Sequence, residues 1–154
     1  MNLNNLTIKS QEALQRAQQL AMEYGQQAIE PGHLLKGILE IDDSVAPFVF
    51  KKLGVNYDII RQALDRIVQG YPKVSGGDKY LGRATSEAIQ KANTYLKEFG
   101  DEYIALEHLL LGLLATTDPV AQLLKDGGIT EKGLKAAIHD LRKGKKVTDR
   151  KSNV

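Results

Sequence analysis

The chain has 154 residues, of which 42% are apolar and 26% are charged, and this suffices for one compact domain with an aliphatic core. The absence of cysteine excludes disulfides, thiolate zinc sites and cysteine nucleophiles, and it fits a cytoplasmic location. The formal charge of +2 is unevenly placed. Residues 142–154 hold six basic residues and one acid, whereas residues 1–141 hold fifteen basic and eighteen acidic residues. Because no basic stretch is interleaved with aromatics and no apolar run approaches ~20 residues, neither nucleic acid nor a membrane is a predicted partner.

Four helices are predicted in residues 1–70. The first ends at Gly25, because glycine readily adopts the left-handed conformation of a helix C-terminus, and the second begins at Pro31, which suits a first helical turn. Ser44 and Asn56 are the predicted N-caps of the third and fourth helices. The apolar residues of the first helix follow the spacing of a helix with one buried face: Ala13, Leu14, Ala17, Leu20, Ala21 and Tyr24.

Residues 71–82 are rich in glycine and are predicted to form a linker. Residues 83–143 then repeat the first layout at an offset of 75 residues, with Asp118 and Thr130 as predicted helix caps. We therefore predict two four-helix repeats, no strand of useful length, and a flexible, solvated linker over residues 144–154, which has almost no apolar residues. The pairs that match between the repeats include Ala13 and Ala88, Ala17 and Ala92, Gly25 and Gly100, His33 and His108, and Gly37 and Gly112.

Four sequence motifs carry a family resemblance. The two repeats contain IEPGHLLKGIL and IALEHLLLGLL, the chain opens with LTIKSQEAL, and LRKGKKVTD lies near its end. Together with the glycine-rich linker, these motifs resemble the N-terminal domain of Clp-type AAA+ unfoldases over essentially the whole chain. The disaggregase branch, ClpB, is the more similar, and the protease-associated ClpA and ClpC are the alternative. The resemblance implies an all-α fold of two pseudo-symmetric four-helix repeats packed as one domain, residues 1–143.

One departure bears on the choice of branch. ClpC domains resemble GTEHILL in both halves, and their paired glutamates serve recognition of phosphorylated arginine. Here Gly32 replaces the first glutamate and Glu107 keeps the second. The difference argues against a reader of phosphorylated arginine.

The resemblance implies a binding module and not an enzyme. It implies engagement of exposed apolar segments of unfolded or aggregated polypeptides, which pass to the hexameric ATPase ring of the same chain. ATP and Mg would belong to that ring, a DnaK-type chaperone system would act with the whole machine, and the isolated domain would be monomeric. The alternative is a regulatory domain that docks folded adaptors, as in ClpA and ClpC. A Walker A loop is not predicted, because Gly144-Lys145 lacks the earlier glycine and the following hydroxyl residue.

Five substrate-binding residues follow from the resemblance. Thr7, Asp101 and Glu107 match positions that bind substrate in the family, Ile89 matches a position that lines an apolar groove, and Leu109 lies beside it. Structural roles remain open for two of them. Thr7 can cap the first helix, and Glu107 can interact favourably with the dipole at a helix start.

The equivalent histidines His33 and His108 are expected to fix the turn into the second helix of each repeat by a hydrogen bond. A metal site is not expected, because no third ligand stands at zinc-like spacing and no HExxH motif occurs. Gly37 and Gly112 are expected to permit close helix contact.

Overall fold

Each half of the chain folds into four helices, as the repeat predicts. The computed structural model describes residues 3–151, and within them the first repeat comprises α1 (Ile8–Glu23), α2 (Pro31–Ile41), α3 (Val45–Leu53) and α4 (Tyr57–Gln69). The second repeat comprises α5 (Arg83–Phe99), α6 (Leu106–Leu114), α7 (Pro119–Asp126) and α8 (Glu131–Arg142). The predicted all-α class is confirmed. None of these helices is long and apolar enough to cross a membrane.

Small residues hold the long helices close to their partners. α1 packs along α2 at Gly37, where an added Cβ would lie 2.6 Å from the backbone oxygen of Ala13. α5 packs along α6 in the same way, with Gly112 against the backbone of Ala88 and Ala92. Any larger residue at these glycines would force the helices apart, so the expected close contact is confirmed.

The two repeats pack together through the third and fourth helices of each. α3 packs against α8, α4 packs against α7, and α2 contacts α6. One continuous apolar core results, to which both repeats contribute. Burial of this aliphatic surface, at ~25 cal/mol per Å², is the main source of stability. The two repeats are therefore halves of a single domain.

Most helices begin at a polar residue that accepts a backbone amide. Four predicted caps accept an N–H from the first turn of the helix that follows, namely Thr7, Asn56, Asp118 and Thr130. Ser44 occupies the N-cap position of α3 as predicted, but its side chain accepts no bond from a helix amide. Asp42 serves instead and accepts the amides of Ser44, Val45 and Ala46. Its carboxylate has two oxygens and reaches more amides than a serine hydroxyl can.

Two short parallel pairings occur where the sequence indicates no strand. β1 (Ala28–Ile29) pairs with β2 (Tyr80–Leu81) and fastens the end of the predicted linker to the first repeat. A bridge between Leu6 and Ile104 joins the start of the chain to the second repeat. Pairings of one or two residues are too short to leave the alternating pattern from which strands are predicted.

The end of the chain departs from the solvated linker predicted for residues 144–154. Val147 is completely buried, and its backbone oxygen accepts the N–H of Glu102 at 2.8 Å. The backbone oxygen of Arg150 accepts the N–H of Ile8, also at 2.8 Å. Residues 144–151 therefore pack on the domain, and residues 152–154 lie outside the described part of the chain. Hydrogen bonds of the main chain and the burial of Val147 hold this segment on the domain, although its sequence has no apolar pattern.

Candidate functional site

A group of buried charges lies in the second repeat, where the connection from α5 enters α6 and α8 ends. We call it the charged corner and define it as Asp101, Glu107, His108 and Arg142. Asp101 lies just after α5, and Glu107 and His108 lie in the first turn of α6. Arg142 is the last residue of α8. Each is at most 8% exposed. Charges from three elements therefore meet where water is largely excluded.

His108 fixes the turn into α6. Its Nδ1 accepts the backbone N–H of Ala105 at 2.8 Å, so the proton of the neutral ring lies on Nε2. That nitrogen lies 2.7 Å from Oδ2 of Asp101 and donates to it. The structural role expected for His108 is confirmed.

Arg142 binds both acids of the charged corner. Its Nη1 lies 2.5 Å from Oδ2 of Asp101, and its Nε lies 3.2 Å from Oε2 of Glu107. Its guanidinium carbon also lies 5.1 Å from the ring centroid of Phe99, within range of a cation–π contact. Buried carboxylates are costly unless they are paired, and a guanidinium offers several donors in a rigid plane. Arg142 thus compensates two acids at once.

Opposing effects act on the pKa of Asp101. Burial acts to raise this pKa, but hydrogen bonds from His108, the Val147 amide and Arg142 outweigh it, and the pKa lies below its ordinary value. Asp101 is consequently ionised at neutral pH. The charged corner therefore keeps its ion pair with Arg142 over the physiological range.

Thr7 contacts the connection between α5 and α6, which also carries Asp101. Its hydroxyl accepts the N–H of Ser10 at 3.1 Å, which confirms the capping role, and its own N–H donates to the backbone oxygen of Ile104 at 3.0 Å. Thr7, Asp101 and Glu107 are all buried, and their polar groups contact atoms of this chain. Three of the five predicted site residues therefore lie around the packed C-terminal segment, but beneath the surface.

Ile89 and Leu109 occupy the apolar core, and each is 2% exposed. An open groove of about 410 Å³ nevertheless runs beside α5, where Tyr95 faces Leu111 and Leu114 of α6. Neither Ile89 nor Leu109 lines this groove, so the groove lining expected for Ile89 stays a prediction. Its lining on α5 is Tyr95, and Ile89 lies below the surface.

The positions of the first repeat that correspond to the charged corner hold uncharged residues, and we call them the neutral corner: Gln26, Gly32, His33 and Val68. Nδ1 of His33 accepts the N–H of Glu30 at 2.9 Å, and its Nε2 lies 2.6 Å from Oε1 of Gln26. Burial, and secondarily the charge of Lys79, lowers the pKa of His33 to about 4. The expected turn-fixing role of His33 is confirmed, with an amide in place of the carboxylate.

A tyrosine occupies the space that a glutamate would need in this neutral corner. Gly32 stands where the second repeat has Glu107, and its N–H donates to the hydroxyl of Tyr71 at 3.0 Å. A Cβ at Gly32 would lie 2.7 Å from that hydroxyl oxygen. Any side chain at Gly32 would therefore require Tyr71 and Val68 to shift.

Arg142 was not predicted as a site residue, although the repeat contains a signal for it. At the offset of 74 residues that relates α4 to α8, Arg142 aligns with Val68, which is fully buried. An arginine at a core-facing position of a helix requires a buried acid nearby. The repeat could therefore have pointed to Asp101 or Glu107 as its partner.

The sequence matches the Clp repeat (R) N-terminal domain over residues 5–127. The chain belongs to this family. It is 51% identical, over 152 residues, to the chaperone protein ClpB of Bacteroides thetaiotaomicron, and the alignment covers 99% of this chain and 18% of that protein. The chain therefore spans about a fifth of the length of the curated relatives it matches. The predicted resemblance to the N-terminal region of ClpB is confirmed.

Solved structures show the same fold at low sequence identity. The Hsp104 N-terminal domain from Candida albicans has a TM-score of 0.82 and 18% identity, with 96% of this chain and 97% of that one covered. A ClpV N-domain in complex with a VipB peptide has a TM-score of 0.76 and 19% identity, with 94% and 93% covered. The architecture of two four-helix repeats is therefore common to several Clp-type N-domains.

Proposed function

We propose that this chain is the client-binding N-terminal module of a ClpB-type, ATP-dependent disaggregase. It engages exposed apolar segments of unfolded or aggregated polypeptides and passes them to a hexameric ring formed by the rest of the protein, in the cytoplasm. The observation that carries this proposal is the 51% identity to ClpB over nearly the whole chain. The peptide complex of the ClpV N-domain supports it, because a domain of the same fold binds a peptide there.

Nucleotide chemistry belongs, in this proposal, to the ring. ATP and magnesium bind there, and a DnaK-type chaperone system acts with the assembled machine. In this proposal the chain itself contributes binding and no catalytic residue, and Gly144-Lys145 lacks the earlier glycine and the following hydroxyl residue of a phosphate-binding loop. We expect the isolated chain to be a monomer that hydrolyses no ATP.

The client surface in this proposal has a polar part and an apolar part. Thr7, Asp101 and Glu107 supply the polar part around the packed C-terminal segment. The groove at Tyr95 supplies the apolar part, and Ile89 and Leu109 belong to the apolar core. A shallow surface of this size buries little area, so affinity is weak, and weak binding suits a module that must release its client to a pore.

Binding of a permanently unfolded protein tests the proposal. We expect fluorescently labelled, reduced and carboxymethylated α-lactalbumin to show a saturable rise in anisotropy when the chain is added, with a micromolar or weaker dissociation constant. Native, disulfide-bonded α-lactalbumin is the matched control and is expected to show none. Equal signals, or none with the unfolded form, contradict client binding.

Affinity capture separates this function from adaptor docking. A client-binding module retains a heterogeneous set of unfolded proteins from a heat-stressed extract. An adaptor-docking domain retains one dominant folded protein in a fixed stoichiometry. Capture of such a single partner contradicts the proposal in favour of the ClpA or ClpC type of function.

A further inference from the structure

The C-terminal strap, which we define as residues 143–151, lies in a slot that holds a polypeptide backbone. At Val147 the strap is bonded on both sides, since its N–H donates to Oδ1 of Asp101 at 2.9 Å and its oxygen accepts the N–H of Glu102. Three residues further on, the oxygen of Arg150 accepts the N–H of Ile8. Main-chain bonds of this kind bind extended peptides with little regard to most side chains. The slot is therefore already built for a peptide.

Side-chain contacts of the strap show which sequence the slot prefers. Val147 is the only described strap residue that is buried, so the slot has one apolar pocket. Cationic side chains lie on both sides of it. Lys146 donates from Nζ to the backbone oxygen of Phe99 at 2.9 Å, and the guanidinium carbon of Arg150 lies 5.6 Å from the ring centroid of Tyr103. The slot thus suits an apolar residue between basic ones.

The strap adjoins the polar residues proposed to contact clients. Thr7 directly precedes Ile8, whose N–H binds the backbone oxygen of Arg150. Asp101 accepts the amide of Val147, and Glu107 binds Arg142, the residue just before the strap. We propose that the strap is a built-in occupant of the client slot, and that an extended client segment with an apolar residue between basic residues displaces it. This inference rests on the proposed function and adds the class of segment and its regulation.

The strap is built to leave the slot more readily than the helices can separate. Its other described residues are exposed, so few apolar contacts hold it, and segments of that kind open at low free energy. It also enters the slot through two left-handed residues, Lys143 at φ 51° and Gly144 at φ 88°. This conformation disfavours lysine.

Replacing Val147 by aspartate tests the inference with a matched control. Val147→Asp places a charge in the apolar pocket beside Asp101, whereas Thr148→Asp adds the same charge at the exposed neighbouring position. We expect the strap of the unaltered chain to be out of the slot in about a tenth of the molecules or fewer, and only these molecules bind the client. Because Val147→Asp keeps the strap out in all molecules, it should bind unfolded α-lactalbumin about tenfold more tightly or better. Thr148→Asp is expected to bind as the unaltered chain does.

The possible results separate the two proposals. No client binding by either the unaltered chain or Val147→Asp contradicts the proposed function. Client binding by both with equal affinity leaves that function standing and contradicts the strap inference. A peptide with the strap sequence KKVTDRK is expected to compete with the client for Val147→Asp, whereas KKDTDRK is not. Equal competition by the two peptides also contradicts the inference.

A measurement on the unaltered chain keeps the test valid if Val147→Asp fails to fold. Hydrogen exchange of the Val147 amide is followed with and without saturating unfolded α-lactalbumin, with the core amide of Ala17 as the control. We expect the client to accelerate exchange at Val147 severalfold and to leave Ala17 unchanged, because the client displaces the strap into water. Unchanged or slower exchange at Val147 in the client-bound chain overturns the inference.

Discussion

The neutral corner of the first repeat and the charged corner of the second repeat use the same backbone with different chemistry. In both, the histidine Nδ1 accepts an N–H at the start of a helix and Nε2 donates to the residue seven positions earlier. The first repeat has Gln26 at that earlier position and the second has Asp101. The histidine is therefore part of the scaffold. What differs between the repeats is the charge built around it.

The difference teaches where this domain departs from simple duplication. A neutral corner closes on itself, because Tyr71 fills the space beside Gly32. The acids of the charged corner need a cation from another element, and Arg142 at the end of α8 binds them both. The strap also contacts this corner, through the Val147 amide. Only the second repeat thereby acquires a surface whose arrangement depends on a displaceable segment.

Loss of Arg142 is expected to have the largest effect on stability. Arg142→Met removes the guanidinium that compensates two buried carboxylates, so the free energy of unfolding should fall by about 3–5 kcal/mol in urea titrations. Asp101 keeps its hydrogen bonds from His108 and from the Val147 amide. Arg66→Met is the matched control, because Arg66 is exposed on α4, and its effect should stay within about 0.5 kcal/mol. A loss below about 1 kcal/mol for Arg142→Met would show that the acids do not depend on this arginine.

Acid should destabilise the neutral corner through His33. The native pKa of His33 is about 4, below the ordinary 6.5, so the unfolded chain takes up a proton between these values and the native chain resists it. The contribution is fully present above pH 6.5 and is lost as pH falls to 4, on the order of 3 kcal/mol. His33→Gln, which cannot take up a proton, should show a flatter stability profile in that window. Parallel profiles for the two chains contradict the prediction.

The smallest expected effect is that of the Tyr71 hydroxyl. Tyr71→Phe keeps the ring and removes the acceptor of the Gly32 amide, which should lower the free energy of unfolding by about 1 kcal/mol in the same titrations. Tyr57→Phe serves as control at an exposed position, with an effect within about 0.5 kcal/mol. If Tyr71→Phe cost as much as Arg142→Met, the contrast between a neutral and a charged corner would not hold.

Much of the fold could be predicted because its signals are local or repeated. The helical spacing in α1, the caps at Thr7 and Asn56, and the close contacts at Gly37 and Gly112 all follow from residue type and position. The capping bonds of α3 were wrongly expected from Ser44, because Asp42, two residues earlier, is also an acceptor and its carboxylate reaches three amides. Only geometry decides which of the two reaches the helix amides.

The candidate site was less predictable because its decisive contacts are distant in sequence. Arg142 lies 41 residues from Asp101 and 35 from Glu107, and the one sequence signal for that pairing is the alignment of Arg142 with the buried Val68 of the first repeat. The strap has one buried apolar residue, Val147, in a highly charged segment, so composition alone indicates a solvated tail. Main-chain hydrogen bonds hold it, and these carry no sequence signal.

Backbone NMR of the labelled chain, titrated with unfolded α-lactalbumin, tests most directly whether the charged corner and its strap form the client face. We predict progressive shift changes at Asp101, Glu107 and Val147, and unchanged shifts at Gln26 and Gly32, the equivalent positions of the neutral corner. Shift changes centred on Gln26 and Gly32, or equal at the two corners, would contradict the assignment of client binding to the charged corner and its strap.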